Sequence, residues 1–173
     1  MKLYLQTITE NFQLNNLPEE WLNIDLAKFS NNKALFDYQQ NALKNAIKAL
    51  YKYFIECKQN KEKFFKLYIN NGLTENLDIK LSNNKNYKIF EEFDNHYIIQ
   101  NNEIRFYHFI NRMSFWMATG SGKTLVIVKL IELLAYLIQQ EQIPKNDILF
   151  LTYREDLIEQ FRYHVDEFNS SNN

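Results

Sequence analysis

The eight residues from Met117 to Thr124, M-A-T-G-S-G-K-T, hold the residue types that grip a chain of phosphates. Backbone N–H groups must curl around the anion, and Gly120 and Gly122 remove the Cβ atoms that would block its approach. Lys123 supplies a point charge for the β- and γ-phosphates, and the Thr124 hydroxyl is placed to ligate Mg²⁺. Phe115-Trp116-Met117 forms an apolar run before the loop, and another begins at Leu125. The loop therefore reads as a turn from a strand into a helix, whose N-terminal partial positive charge faces the same anion. The competing reading is a turn that happens to precede a lysine. Only Gly72 of the chain's three glycines lies elsewhere, which makes coincidence a poor account. Met117, Ala118, Thr119, Gly120, Ser121, Gly122, Lys123 and Thr124 are the expected nucleotide-contacting residues, with a nucleotide and Mg²⁺ as cofactors and Lys123 and Thr124 as the catalytic pair.

Elements on both sides must hold this loop. Leu3, Leu5 and Ile8 have a strand-like alternation, and Asn16 with Pro18 marks a helix start at Leu17 to Leu22. From Asp37 a strong helix is expected, with Asp37 and Gln40 at capping-box spacing and Ala42, Leu43, Ala46, Ile47, Leu50 and Phe54 as its apolar stripe. Lys61 to Ile69 predicts a second helix, stopped by Asn70-Asn71-Gly72. Tyr97 to Ile99 and Ile104 to Tyr107 flank two asparagines in the manner of a β-hairpin. Thr124 to Gln139 predicts a helix with only Lys129, Glu132 and Tyr136 as a narrow polar stripe, a helix covered on most sides. Ile148 to Thr152 is a continuous apolar run of the kind buried in a parallel sheet, and Asp156 is placed to cap a final helix. Strand, loop, helix, strand, helix is the opening of an α/β layer of the RecA type.

Composition narrows the class. The 173 residues are 46% hydrophobic and 16% aromatic, enough for one domain with a sizeable core, and the net charge of −1 gives no global sign of a polyanion partner. Lysines cluster between Lys44 and Lys88, usually a solvated face and less often a surface for a phosphate backbone. A single cysteine, Cys57, excludes an internal disulfide and fits a reducing compartment. Three scattered histidines offer no zinc spacing, and the most apolar run is too short for a bilayer. A soluble, cytoplasmic protein without a membrane role is expected.

Three segments together carry a resemblance: Leu35 to Ala42 (L-F-D-Y-Q-Q-N-A), the M-A-T-G-S-G-K-T loop, and Ile148 to Gln160 (I-L-F-L-T-Y-R-E-D-L-I-E-Q). They resemble the N-terminal motor region of superfamily two helicases and translocases. The likeness is nearest to the restriction subunit of type III restriction enzymes and the UvrB-like helicases. That branch tolerates methionine where other phosphate loops begin with glycine. Its L-R-x-Y-Q-x-x-A segment implies that Gln39 reads the adenine edge, although Phe36 stands where the family usually carries arginine. Its motif after the second strand implies that Thr152 and Arg154 contact a DNA backbone, against the plainer reading of Arg154 as a surface charge near Glu155 and Asp156. The resemblance divides the chain into a lead-in (1–34), an adenine-recognition helix segment (35–54), a lysine- and asparagine-rich insertion (55–110), a truncated RecA-like domain (111–168) and a frayed tail (169–173).

Hydrolysis in such motors also needs a D-E-x-H acid at the end of a strand. Asp166-Glu167 is the one candidate, and its helical surroundings exclude it. The expectation is the ATP-binding part of a DNA translocating motor, inactive alone, acting with a methyltransferase partner in a longer parent. The alternative is a non-catalytic remnant or interaction module with an unused loop; an unrelated P-loop kinase fits the other two segments less well.

Overall fold

The computed structural model describes residues 3–81, 99–100 and 103–172. Seven α-helices carry the structure among them: α1 (Tyr4–Glu10), α2 (Glu19–Leu22), α3 (Asp37–Tyr51), α4 (Lys61–Asn70), α5 (Phe106–Phe109), α6 (Lys123–Gln139) and α7 (Glu155–Asn172). The start of the chain is helical, contrary to the strand-like alternation, because Tyr4 and Ile8 lie four apart and bury one face together. Asn16 ends a 3₁₀ turn, Leu14–Asn16, and Pro18 occupies the N-cap of α2 instead.

Helix α3 is the centre of the fold. Ala, Leu, Gln and Lys dominate its sequence, all strong helix formers, and Leu43, Ala46, Ile47 and Ala49 are buried. Its start differs from the expected Asp37/Gln40 box. Phe36 is the N-cap, and its N–H donates to Gln39 Oε1 at 2.8 Å, while Gln40 Nε2 donates to the Leu35 carbonyl. After Tyr51 the helix widens into a π turn, Lys52–Glu56, and the chain breaks away through left-handed Lys58 and Gln59. Asn60 then caps α4 by accepting from the Lys63 N–H at 3.0 Å. Two of the three lysines on this helical run, Lys48 and Lys52, are occupied within the fold. Lys48 Nζ donates to the Thr9 carbonyl of α1 at 3.1 Å, and Lys52 pairs with Glu56 while lying 4.2 Å from the Phe12 ring centroid.

Three apolar clusters fuse these helices. Tyr4, Ile8, Phe64, Tyr68 and Ile110 join α1, α4 and the segment after α5. Leu17, Trp21, Ile47, Leu133, Leu137 and Ile143 join the lead-in, α3 and α6. Phe29, Leu35, Leu43, Val126 and Val128 receive Phe161, Val165 and Phe168 of α7. Helix α6 is thus covered by helices instead of a sheet, and Lys129, expected on its polar stripe, is buried with its Nζ 2.6 Å from Glu132. No described helix is long and apolar enough to cross a membrane.

The sheet content is small and antiparallel, in the order β1 (Ile79–Lys80), β3 (Glu103–Ile104), β2 (Ile99–Gln100). Ile99 faces Ile104 and Gln100 faces Glu103, the register of the expected hairpin; Tyr97 and Ile98 lie outside the described residues. Phe106 and Tyr107 belong to α5, not to the strand, because Asp78 Oδ1 takes the Phe106 N–H at 2.7 Å and the Phe106 ring packs on Tyr68. The expected strands at Phe115 to Met117 and Ile148 to Thr152 are not formed. Neither segment has regular secondary structure or a ladder partner among the described residues, and Trp116 is 97% exposed. A strand exists only through a neighbour that takes its N–H and C=O groups, so hydrophobicity alone leaves these segments bare.

The tail, expected to fray from Asn169, continues α7 to Asn172, whose Nδ2 donates to the Phe29 carbonyl at 3.0 Å. Asp156 is not the cap of α7, which begins one residue earlier. Deeper in that helix Glu167 is held by Lys33 Nζ at 2.6 Å and by the Ser30 hydroxyl at 3.0 Å. The Lys33 hydrogen bond foremost, with those from Ser30 and His164, keeps its carboxyl below the ordinary value of 4.5. A depressed carboxyl stabilises the fold fully above its unfolded value and loses that contribution as pH falls through the folded one. The melting temperatures of wild type and Glu167→Gln should therefore converge as pH falls below the ordinary carboxyl value of 4.5 and through the lowered folded one. A gap that stays constant over that range would mean that the clamp adds nothing.

Candidate phosphate-binding site

The loop sits where α3 meets α6. Gly120 and Gly122 both adopt left-handed backbone, at φ 78° and 72°, which turns the chain into the first turn of α6. Gly122 is the N-cap, and no side chain caps this helix. The N–H groups of Gly122, Lys123 and Thr124 meet no carbonyl among the described residues, so the start of α6 keeps its donors free. Lys123 Nζ turns back on the loop, 3.0 Å from the Met117 carbonyl and 2.8 Å from that of Ala118. Ser121 Oγ is buried without a partner among the described residues. Free N–H groups at a helix start, an unpaired hydroxyl and an ammonium held only by carbonyls are a donor set suited to an anion.

The roles of the two glycines differ. A Cβ on Gly120 would meet no protein atom within 4 Å, so within the protein itself it is the positive φ that favours glycine there. A Cβ on Gly122 would lie 2.6 Å from Gln39 Nε2. The space beside Gly122 belongs to a side chain of this protein, a reason for glycine that the phosphate argument does not contain.

Gln39 is brought to the loop, 82 residues away in sequence, and its Nε2 donates to the Ser121 carbonyl at 2.8 Å. Its Oε1 accepts the Phe36 N–H, and the residue is 1% exposed. Both ends of the amide are engaged by protein. Tyr38 Oη donates to the same Ser121 carbonyl at 3.0 Å, a contact that sequence reasoning missed although it quoted the residue. Phe36 and Tyr38 stack on each other, ring centroids 5.8 Å apart and 12° from parallel.

Thr124 faces α7, its Oγ1 donating to Gln160 Oε1 at 3.3 Å. No periodicity could have found that pairing. Thr152 and Arg154 lie in the segment leading into α7, where the Arg154 N–H reaches Thr152 Oγ1 at 3.4 Å. The Arg154 guanidinium grips Asp156 through two nitrogens, with Nε 3.0 Å from Oδ1. That hydrogen bonding raises the pKa of Arg154 and lowers that of Asp156. Asp166 and Glu167 lie inside α7, with Glu167 committed to Lys33 and Ser30, in accord with their exclusion as the metal-binding acid.

A protein-family model described as type III restriction enzyme, res subunit, matches residues 32–173. Comparison with curated proteins and with solved structures gave no match.

Proposed function

The chain belongs to the type III restriction enzyme res-subunit family, and we propose that it forms the ATP-binding, N-terminal helicase-like part of an ATP-driven DNA translocase. The observation that carries this reading is the loop itself, with free N–H groups at the start of α6 beside the Lys123 ammonium. When bound, the nucleotide with Mg²⁺ supplies the phosphoanhydride whose cleavage drives motion along DNA. Lys123 leaves two carbonyls for the phosphate oxygens, Thr124 offers its hydroxyl to the metal, and Gly120 to Gly122 wrap the chain. Thr152 and Arg154 contact the DNA backbone, Arg154 by exchanging Asp156 for phosphate. In this reading Phe115 to Met117 and Ile148 to Thr152, which have no ladder partner among the described residues, are the segments that pair into a RecA-like parallel layer when a neighbouring strand takes their N–H and C=O groups. Residues 35–54 and 111–168 form the motor segment, 55–110 is an insertion, and a methyltransferase subunit is the partner of the whole enzyme.

Titration calorimetry with ATP and Mg²⁺ on the 173-residue chain tests the loop. Saturable binding is expected, weakened roughly ten- to hundredfold in Lys123→Ala, since hydrogen bonds to a charged group are worth about 1.5–3 kcal/mol. No heat and no thermal shift with wild type would overturn the reading. That result would favour a non-catalytic interaction module, to which the unpaired, exposed segments around Trp116 and Leu149 also lend themselves.

A further inference from the structure

We infer that Gln160 of α7 is a positioning residue for the metal at the phosphate loop: its Oε1 takes the proton of the Thr124 hydroxyl and so turns that oxygen's lone pairs toward Mg²⁺. The inference rests on the phosphate-loop reading and adds to it a residue that lies outside the loop.

The first observation is where the proton of Thr124 goes. A hydroxyl has one proton and two lone pairs, and only the lone pairs can ligate a cation. In a helix a threonine hydroxyl commonly gives its proton to a carbonyl three or four residues back. Three back stands Ser121, whose carbonyl already accepts from Tyr38 Oη at 3.0 Å and from Gln39 Nε2 at 2.8 Å. Both lone pairs of that carbonyl are in use. The Thr124 proton crosses to α7 instead, where Gln160 Oε1 accepts it at 3.3 Å. Without this acceptor the hydroxyl turns freely, and each orientation that points its proton at the cation repels it.

The second observation is how firmly α7 presents that acceptor. Gln160 is exposed, but its neighbour Phe161 stacks on Phe150 with ring centroids 4.1 Å apart and 12° from parallel. Phe161 also packs with Val126 and Val128 of α6, the helix that Thr124 helps to open. Farther along, Glu167 is held by Lys33 and Ser30, and Asn172 by the Phe29 carbonyl. The acceptor therefore rides on a helix pinned along its length, the kind of support that keeps a ligating group in place.

The third observation is what the metal asks of this site. Mg²⁺ takes few protein ligands and fills its octahedron with phosphate oxygens and waters, so one hydroxyl suffices if its lone pair is aimed. The partner that aims a ligand then matters nearly as much as the ligand. At 3.3 Å the bond to Gln160 is longer than the usual 2.7–2.8 Å or so of a hydroxyl donor. An O–H whose oxygen is shared with a cation is a stronger donor, so this bond shortens on loading and does not break.

Calorimetric titration of the whole chain with ATP, once with Mg²⁺ and once with EDTA, tests this, and the readout is the ratio of the two affinities. Gln160→Ala and Gln160→Met, which lack the amide oxygen, should each cut that ratio about tenfold and leave the affinity in EDTA unchanged. Gln160→Glu, which keeps an oxygen within reach of the hydroxyl, should hold the ratio at or above that of wild type. Without ligand all three variants should melt with wild type, since substitutions at an exposed position move stability little. A wild-type ratio in Gln160→Met would overturn the inference, because bulk alone would then suffice. So would an affinity that falls equally with and without Mg²⁺, the mark of a contact that only shapes the loop. A wild type that binds ATP as tightly in EDTA would overturn the metal at Thr124, and this inference with it, while leaving the loop's grip on phosphate. No binding of ATP in either condition would overturn the loop reading and the inference together.

Discussion

Gly122→Ala is expected to destabilise the chain by about 2–4 kcal/mol, far more than the same change at Gly120. Both glycines are left-handed, at φ 72° and 78°, and an L-residue there costs roughly 1–2 kcal/mol. That cost is common to the two sites. Only at Gly122 does the new methyl collide, 2.6 Å from Gln39 Nε2, while at Gly120 it meets nothing within 4 Å. Gln39 is buried and must leave its place, giving up its bonds to the Phe36 N–H and the Ser121 carbonyl at about 1 kcal/mol each. Thermal melts of the two single variants read the difference, roughly 2–4 °C per kcal/mol for a chain of this size. A cycle with Gln39→Ala isolates the collision, because the glutamine amide is then gone and only the backbone strain remains. The double variant should be less destabilised than the sum of its parts by about 1–2 kcal/mol. Equal melting temperatures for Gly120→Ala and Gly122→Ala would show that Gln39 does not pack against the loop.

The loop was legible because its chemistry is local. Two glycines, a lysine and a threonine within five residues declare a turn into a helix, and α6 begins at Lys123 as they require. Helices α3 and α4 were legible for a similar reason: apolar spacing and terminal residues act within a few turns. What escaped was whatever depends on a distant partner. Ile148 to Thr152 has the composition of a buried strand, but a strand is completed by another segment's hydrogen bonds, and none of the described residues provides them. Lys129 looked like the polar side of α6 until α7 placed Phe168 5.4 Å from its ammonium. Within the site, Gln39 was identified on resemblance and does reach the loop, yet its bond to Ser121 joins residues 82 apart. Neither Tyr38's contact with that carbonyl nor Gln160's with Thr124 has any signature in spacing.

The largest loss of stability is expected from Trp21→Ala, about 3–5 kcal/mol against a total that is typically 5–15 kcal/mol for a domain. Trp21 precedes the matched family region, which begins at residue 32, so its removal asks whether the lead-in belongs to the same folding unit. Its burial says that it does. The side chain is 0% exposed, shares a cluster with Ile47 of α3 and Leu133 and Leu137 of α6, and meets the Tyr51 ring edge-on at 5.2 Å. Its indole N–H donates to Gln142 Oε1 at 3.0 Å, tying the lead-in to the chain just past α6. Alanine leaves a cavity between the two helices that support the phosphate loop, and the surrounding clusters relax only in part. Trp21→Phe separates packing from hydrogen bonding: most of the bulk returns, and the residual loss should be about 1–2 kcal/mol. Urea unfolding followed by circular dichroism reads both variants, with the midpoint moving and the slope unchanged if unfolding stays all-or-none. A midpoint for Trp21→Ala within error of wild type would mean that residues 3–34 fold apart from α3 and α6, and that the family region is stable without them.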